Sequence, residues 1–316
     1  MEVDRFYNIH DLLKFRAFYE RNFIEFKNDL KQFKSPVNQP SIDLIFPSSQ
    51  KDIPSSGTTV TSGVYKMIPW TLALRKDDKA HETIYFYSPI FTTFLAWRMV
   101  IIPLLKREIV QRNGFSLIGS AFQYQNEIFI VSGYPGSGKT SILMQALERD
   151  AMFMGDNELL FKTGSPIIAI SNEIELRWNT VRNTRFLKRL SPVDRVSILM
   201  NHLLSIATAQ HINFNVVVNP ASIGIAKDQQ QNPAKIHFIL LKPNTPETPV
   251  ERSVFVEEFL AYESRYASLF GESLYSKEMQ IQASRHFEIF LNECNPWIFP
   301  LGTSFDKILS TTQQTK

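Results

Sequence analysis

One cysteine, Cys294, stands in 316 residues. A single thiol closes no intramolecular disulfide and fits a reducing compartment. With six scattered histidines it builds no Cys/His metal cluster. His81, His202, His211, His237 and His286 fall in no constellation with Ser or Cys, so nucleophilic catalysis has no support. The excess of one charge over the other is small as well: a net +3 makes no case for nucleic acid or an anionic membrane as partner. The most apolar run, Phe91 to Leu105, is interrupted by Arg98 and Pro103 and falls short of the ~20 residues a bilayer crossing needs. Met1-Glu2-Val3-Asp4-Arg5 is charged, with no apolar run behind it, so no secretory signal is read and a cytoplasmic protein is expected. No internal repeat and no low-complexity tract occurs. Glycine is sparse too, at 12 residues.

Three of those twelve glycines fall within eight residues, Gly133-Tyr134-Pro135-Gly136-Ser137-Gly138-Lys139-Thr140. This is the phosphate-loop pattern G-x-x-x-x-G-K-[ST], which arises by chance in a chain of this length on the order of once in a hundred. Its surroundings agree with it. Glu127–Val131 reads as a buried strand entering the loop, and Thr140–Leu147 as the helix leaving it. Glycines allow backbone N–H groups to converge on phosphate oxygens, and the helix N-terminus adds partial positive charge. Gly133 to Ser141 are therefore the expected nucleotide-binding residues. Lys139 would reach the β- and γ-phosphates, and the Thr140 hydroxyl would ligate Mg²⁺.

Elsewhere, 44% hydrophobic and 21% charged residues with 25 Phe describe a folded chain with ample core. Leu12, Phe15, Tyr19, Phe23 and Phe26 recur at spacings of three and four, so a helix is expected over 9–33. Strands are expected at Ile42–Phe46, Tyr65–Leu74 and Thr83–Tyr87, a loop over 47–63, and a helix over 89–112 bent at Pro103. After Asn113-Gly114 come short strands at Phe115–Ile118, Ala151–Met154, Glu158–Lys162 and Pro166–Ile170. Ser191-Pro192-Val193-Asp194 opens a helix whose Val196, Leu199, Met200 and Leu203 make an apolar stripe. Strands are expected again at Phe214–Val218 and Lys235–Leu241. Two helices follow, one after Thr248-Pro249 with Phe255, Phe259, Tyr262 and Tyr266 on one face, and one over 276–291. The division expected is an α+β region over 1–112, a nucleotide-binding domain over 113–310 and a frayed tail over 311–316.

A nucleotide enzyme needs a carboxylate near Mg²⁺ and the transferred phosphate. The later strands end in Asn219-Pro220 and Lys242, with no acid. Asp156, in Gly155-Asp156-Asn157, follows Lys139 by 17 positions, room for one helix and a returning strand. At these residues the chain resembles the HPr kinase/phosphorylase family and its relatives, the P-loop kinases related to phosphoenolpyruvate carboxykinase. The resemblance rests on the strand-turn-strand before the loop, the loop itself, Gly155-Asp156-Asn157 and Glu175-Leu176-Arg177. It covers about Phe115 to Arg177, and more weakly to Leu241.

The resemblance implies an α/β fold of α+β character, with a P-loop kinase core on a mixed sheet of the HPr kinase C-terminal type. It implies an ATP- and Mg²⁺-dependent phosphotransferase acting on a hydroxyl of a protein or peptide Ser, or of a small molecule. Lys139 and Thr140 would serve the triphosphate and Mg²⁺, Asp156 the acceptor hydroxyl or the metal, Glu175 the metal and Arg177 a phosphate. Three departures stand out. Asn157 replaces the second Asp of the family's pair, Ile118 stands where HPr kinases have His, and Asn219-Pro220-Ala221 only approximates their Pro-Val-Arg-Pro-Gly loop. These losses favour another substrate, or a nucleotide-binding regulatory protein with little transfer. The basic residues Arg177, Arg182, Arg185, Lys188 and Arg189 form either a grip for a phosphorylated or acidic substrate or for nucleic acid, or a solvated helix face. Homo-oligomerisation is left open.

Overall fold

The computed structural model of the chain describes residues 2–19, 33, 40–65, 68–76, 81–89, 93–162, 167–170, 173–208, 215–226, 235–243, 248–249, 251–270 and 274–313. The architecture is mixed α/β, in two compact units: Met1–Asn113 with Glu257–Arg285, and Gly114–Val256 with His286–Lys316. The first unit thus takes in 257–285, a segment that the sequence reading left in the second region. Among the described residues no helix is long and apolar enough to cross a membrane.

In the first unit β1 (Glu2–Ile9), β2 (Leu13–Tyr19), β3 (Ile42–Phe46), β4 (Thr59–Tyr65), β5 (Ile68–Lys76) and β6 (Glu82–Tyr87) form one sheet, in the order β1-β2-β3-β6-β5-β4. The helix expected over 9–33 is overturned by β2. Leu13, Phe15 and Ala17 are buried at a period of two, while Arg16 on the other face meets Asp43 of β3 at 2.9 Å. Apolar residues stand at both the helical and the alternating spacing here. The reversal at His10 and Asp11, φ 50° and 56°, decides for a hairpin. Phe23 and Phe26 lie outside the described residues. The expected loop over 47–63 ends in β4, an exposed Thr/Ser-rich edge strand that takes its order from pairing with β5. Gly63 lies against the Trp70 ring, to which a Cβ would approach within 2.8 Å. The helix expected over 89–112 comprises α1 (Thr93–Ala96), a π-helical turn Trp97–Ile101 and α2 (Ile102–Gln111). The break expected at Pro103 takes the form of the π turn just before it.

The second unit runs through β7 (Gly114–Tyr124), β8 (Glu127–Gly133), α3 (Lys139–Glu148), β9 (Met152–Lys162), β10 (Ile168–Ala169), β11 (Ile174–Leu176), α4 (Trp178–Val181), α5 (Pro192–Ala207), β12 (Val216–Val218), β13 (Lys235–Leu241) and β14 (Thr248–Pro249). It closes with β15 (Asn295–Phe299) and α8 (Phe305–Gln313), after α6 (Arg252–Phe270) and α7 (Lys277–Leu291), which both straddle the division between units. The main sheet has the order β10-β9-β7-β8-β13-β15-β14, with β8, β13 and β15 parallel and the remaining pairs antiparallel. Gln125 and Asn126, φ 50° and 65°, make the two-residue turn of the β7–β8 hairpin.

Both faces of this sheet are covered. On one, Phe122 and Phe129 stack with centroids 5.4 Å apart and meet Phe305 of α8, within a core that α3 supplies with Ile142, Leu143, Met144, Ala146 and Leu147. On the other, Phe115 stacks on Phe161 at 4.8 Å and meets Phe287 and Phe290 of α7. Such burial on both faces explains why β8 and β13 read as unbroken apolar runs.

The two short strands expected over 151–162 are one strand, β9. Asn157 takes φ 72° within it, a conformation Asn tolerates better than most residues. The tail expected to fray from 311 is helical to Gln313, with Thr312 buried. Pro166 and Phe214 lie outside the described residues, as does the side chain of Tyr266. Phe255 and Phe259 are buried, as their shared face implies.

Candidate active site

β8 delivers the chain to the loop at Gly133, opposite Leu241 of β13. A Cβ on Gly133 would lie 2.8 Å from both the Leu241 carbonyl oxygen and Ser137 Oγ, so packing as well as conformation demands glycine there. Gly138, at φ 102°, is the left-handed residue from which α3 starts. α3 therefore opens with Lys139 and Thr140 in its first turn, where unpaired amides and the helix dipole favour an anion.

Lys139 is buried at 9% exposure and folds back over the loop, donating from Nζ to the carbonyls of Gly133 at 2.8 Å and Tyr134 at 3.0 Å. Burial lowers its pKa from 10.5 to about 8; the Asp156 charge opposes that shift and the Arg177 charge adds to it. Ser137 is buried within the loop, its N–H donating to the Tyr134 carbonyl at 3.0 Å.

Asp156 comes to the loop on β9, paired in register with Ser120 of β7. It is 1% exposed. Ser120 Oγ donates to Asp156 Oδ1 at 2.5 Å, and Thr140 Oγ1 lies 3.4 Å and 3.3 Å from Oδ1 and Oδ2. Burial raises the Asp156 pKa to about 6. The Ser120 hydrogen bond opposes this, Glu175 adds to it, and Lys139 and the Asn157 backbone oppose it. The preceding Gly155 is required by crowding, since a Cβ there would come within 2.6 Å of Ala169 Cβ on β10.

β11, paired with β12, carries Glu175, and Arg177 follows as the N-cap of α4. Asn215 links the two: its Nδ2 donates to Glu175 Oε2, and its Oδ1 accepts from Arg177 Nε. Both charges act on the centre, Glu175 on Asp156 and Arg177 on Lys139. Asp156 thus touches the loop directly through Thr140, whereas Glu175 and Arg177 bond to Asn215 and bear on the loop only through their charge.

Other basic residues of the run are engaged structurally. Arg185 ion-pairs with Asp150 at 2.7 Å and donates to the Leu147 carbonyl, and Arg189 donates to the Ile223 carbonyl. Asn219 caps a 3₁₀ turn over Pro220–Ile223 with its own side chain.

Ser120 and Asn215 escaped the sequence reading. Ser120 is one hydroxyl in a hydrophobic strand, and only the β7–β9 register sets it opposite Asp156. Asn215 lies 38 positions from Arg177 and 40 from Glu175, beyond any local signal.

Among the described residues no three His, Cys, Asp or Glu side chains stand together as a metal cage. Asp156, Glu175 and the Thr140 hydroxyl are hard oxygen donors of the kind Mg²⁺ takes when phosphates complete its shell. In comparisons with known proteins, no family model matches this chain and no curated protein matches it.

Proposed function

We propose that the second unit carries a P-loop kinase core of the HPr kinase type and transfers the γ-phosphoryl of ATP to a hydroxyl. The acceptor would be a protein or peptide Ser, or a small molecule. The observation that carries the reading is the buried Asp156, held by Ser120 within 3.4 Å of the Thr140 hydroxyl at the start of the phosphate-loop helix. A structural carboxylate at a surface turn would face solvent; this one is desolvated and aimed at the loop.

The chain's residues divide the work as follows. Amides of Gly136 to Thr140 and the first turn of α3 receive the β- and γ-phosphates. Lys139, now on the Gly133 and Tyr134 carbonyls, turns its ammonium to phosphate oxygens and balances the charge that gathers there. Thr140 and Glu175 would hold Mg²⁺, which when bound would neutralise phosphate charge and fix phosphate orientation. Asp156 Oδ2, the oxygen that Ser120 leaves free, takes the proton of the acceptor hydroxyl. The acceptor oxygen bonds to the γ-phosphorus as the bond to the ADP oxygen breaks, and the proton remains on Asp156 until it passes to solvent. With a pKa of about 6, Asp156 is ionised near neutrality yet basic enough to accept that proton.

The test uses labelled ATP, Mg²⁺ and host lysate. A discrete labelled acceptor with the wild type, lost in Asp156→Asn while nucleotide binding persists, is the expected result. Unchanged transfer in that variant overturns the mechanism. A second reading, a nucleotide-binding regulatory protein, draws on Asn157. It leaves one carboxylate where the resembled family has two, and saturable binding without any transfer would select it.

A further inference from the structure

Helix α5 is amphipathic with its polarity reversed. Ile198 and Ser205 are its buried residues, and Asp194, Ser197, Asn201 and His202 are half-buried beside them, His202 stacking on Trp178 of α4 at 6.1 Å. The apolar side chains face the other way. Val193 is 72% exposed, Val196 61%, Leu199 40%, Met200 58%, Leu203 50% and Ile206 63%. With Leu204, α5 holds seven of the thirteen exposed large hydrophobic residues among the described part of the chain, so this is a concentration and not the scatter usual on a surface. Ser191 caps the helix and Pro192 opens it, so α5 is well specified as a helix although its apolar face contributes nothing to the core of its own unit.

We propose that this face is the two-fold interface of a homodimer, in which α5 packs antiparallel on α5 of a second copy. Three observations select a second copy as the occupant. First, the stripe 193, 196, 199, 200, 203, 206 has the same spacing read in either direction. Antiparallel pairing then sets Val193 against Ile206 of the second copy, Val196 against Leu203, and Leu199 against Met200, so each residue of the stripe meets another apolar residue, while Leu204 at its margin falls level with Arg195. An isologous contact requires this self-complementarity. Second, the charged residues of α5, Asp194 and Arg195, lie in its first turn. Antiparallel pairing holds the two copies of each at opposite ends and opposes the helix dipoles, whereas parallel pairing brings like charges together. Third, a stripe of this kind, on the order of 500 Å², is at the upper end of what monomers leave open. Doubled across the axis it reaches about 1,000 Å², where specific interfaces begin.

Sedimentation velocity on the full chain, from about 1 μM to about 100 μM, reads the association directly. The wild type is expected to pass to dimer within that range. Leu199→Lys with Leu203→Lys is expected to weaken association about 100-fold or more and remain monomeric, with an unchanged circular dichroism spectrum. Geometry is read separately by a short bis-maleimide. Met200→Cys lies beside the axis and cross-links. Val193→Cys lies 13 residues from its own copy along the paired helices, about 20 Å, and does not. Cys294 is buried and does not compete. A wild type that stays monomeric, a lysine double variant that still dimerises, or cross-linking at 193 in place of 200 overturns the proposal. None of these readouts depends on nucleotide or on phosphoryl transfer.

Discussion

Each unit buries a lysine and a carboxylate, and it uses them in opposite ways. In the first, Lys106 of α2 and Glu263 of α6 are both 1% exposed and meet directly at 2.6 Å, with Tyr275 beneath the ammonium. In the second, Lys139 and Asp156 are also buried, but each is held by other groups. Lys139 binds the Gly133 and Tyr134 carbonyls, and Asp156 binds Ser120 and lies by Thr140. The first pair is closed through Lys106 Nζ and Glu263 Oε1, with Glu263 Oε2 buried beside it without a hydrogen-bond partner. The open arrangement leaves a cation and an anion desolvated, with both pKa values displaced toward neutrality, about 8 and about 6. Perturbed titration of this kind is in keeping with the site proposed for the second unit, whereas direct pairing of two buried charges needs no ligand to explain it.

The sharpest way to break the comparison is to exchange the consequences. Asp156→Asn should lower transfer by about 10²–10⁴-fold while nucleotide affinity, read by calorimetry, stays within a few-fold. Lys106→Met should leave nucleotide affinity unchanged but cost about 3–5 kcal/mol in urea unfolding, because Glu263 is left buried without its cation. If Lys106→Met instead spared stability and Asp156→Asn spared transfer, the two pairs would have been assigned the wrong way round.

Asp156→Asn should also stabilise the fold. The folded pKa of Asp156, about 6, lies above the ordinary 3.8, so its contribution to stability is fully present below about 4 and is lost as pH rises through 6. Removing the titration should raise stability at pH 7–8 by on the order of 1–3 kcal/mol and flatten its dependence between pH 4 and 6. Transfer should rise through pH 6 as Asp156 ionises, and nucleotide affinity of the free protein should fall above pH 8 as Lys139 loses its proton. Ser120→Ala removes the hydrogen bond that favours the carboxylate, so the acid limb of the rate profile should move to higher pH. Last and smallest, Asn215→Ala should release Glu175 and Arg177 and raise KM for nucleotide by about tenfold or less, with kcat affected less.

What could be read in advance followed the range of the signal. The loop, its strand and its helix are contiguous, so Gly133 to Ser141 were legible as a unit. Gly155-Asp156 was legible because one helix and one strand fix the return distance. The helix at Ser191 was legible from its cap, but the stripe on it gave no indication of which way it would face. β2 is ambiguous in sequence because Leu12, Phe15 and Tyr19 satisfy a helical period while Leu13, Phe15 and Ala17 satisfy a strand's, and the arbiter is the hairpin turn at His10-Asp11. β4 carries a loop's composition because its order comes from its neighbour and not from its own Thr, Ser and Gly.

By itself the sequence determined a glycine-rich turn between a strand and a helix, the proposed phosphate site, because three glycines and a helix start lie within eight residues and need no distant partner. It also determined that a carboxylate returns to that loop. Only the tertiary structure decided that this carboxylate is desolvated and held by Ser120, that Asn215 ties Glu175 to Arg177, and that α5 turns its apolar side outward. Burial and cross-strand register are properties of packed elements, and they set the charge state and the exposed face that a linear motif leaves undetermined.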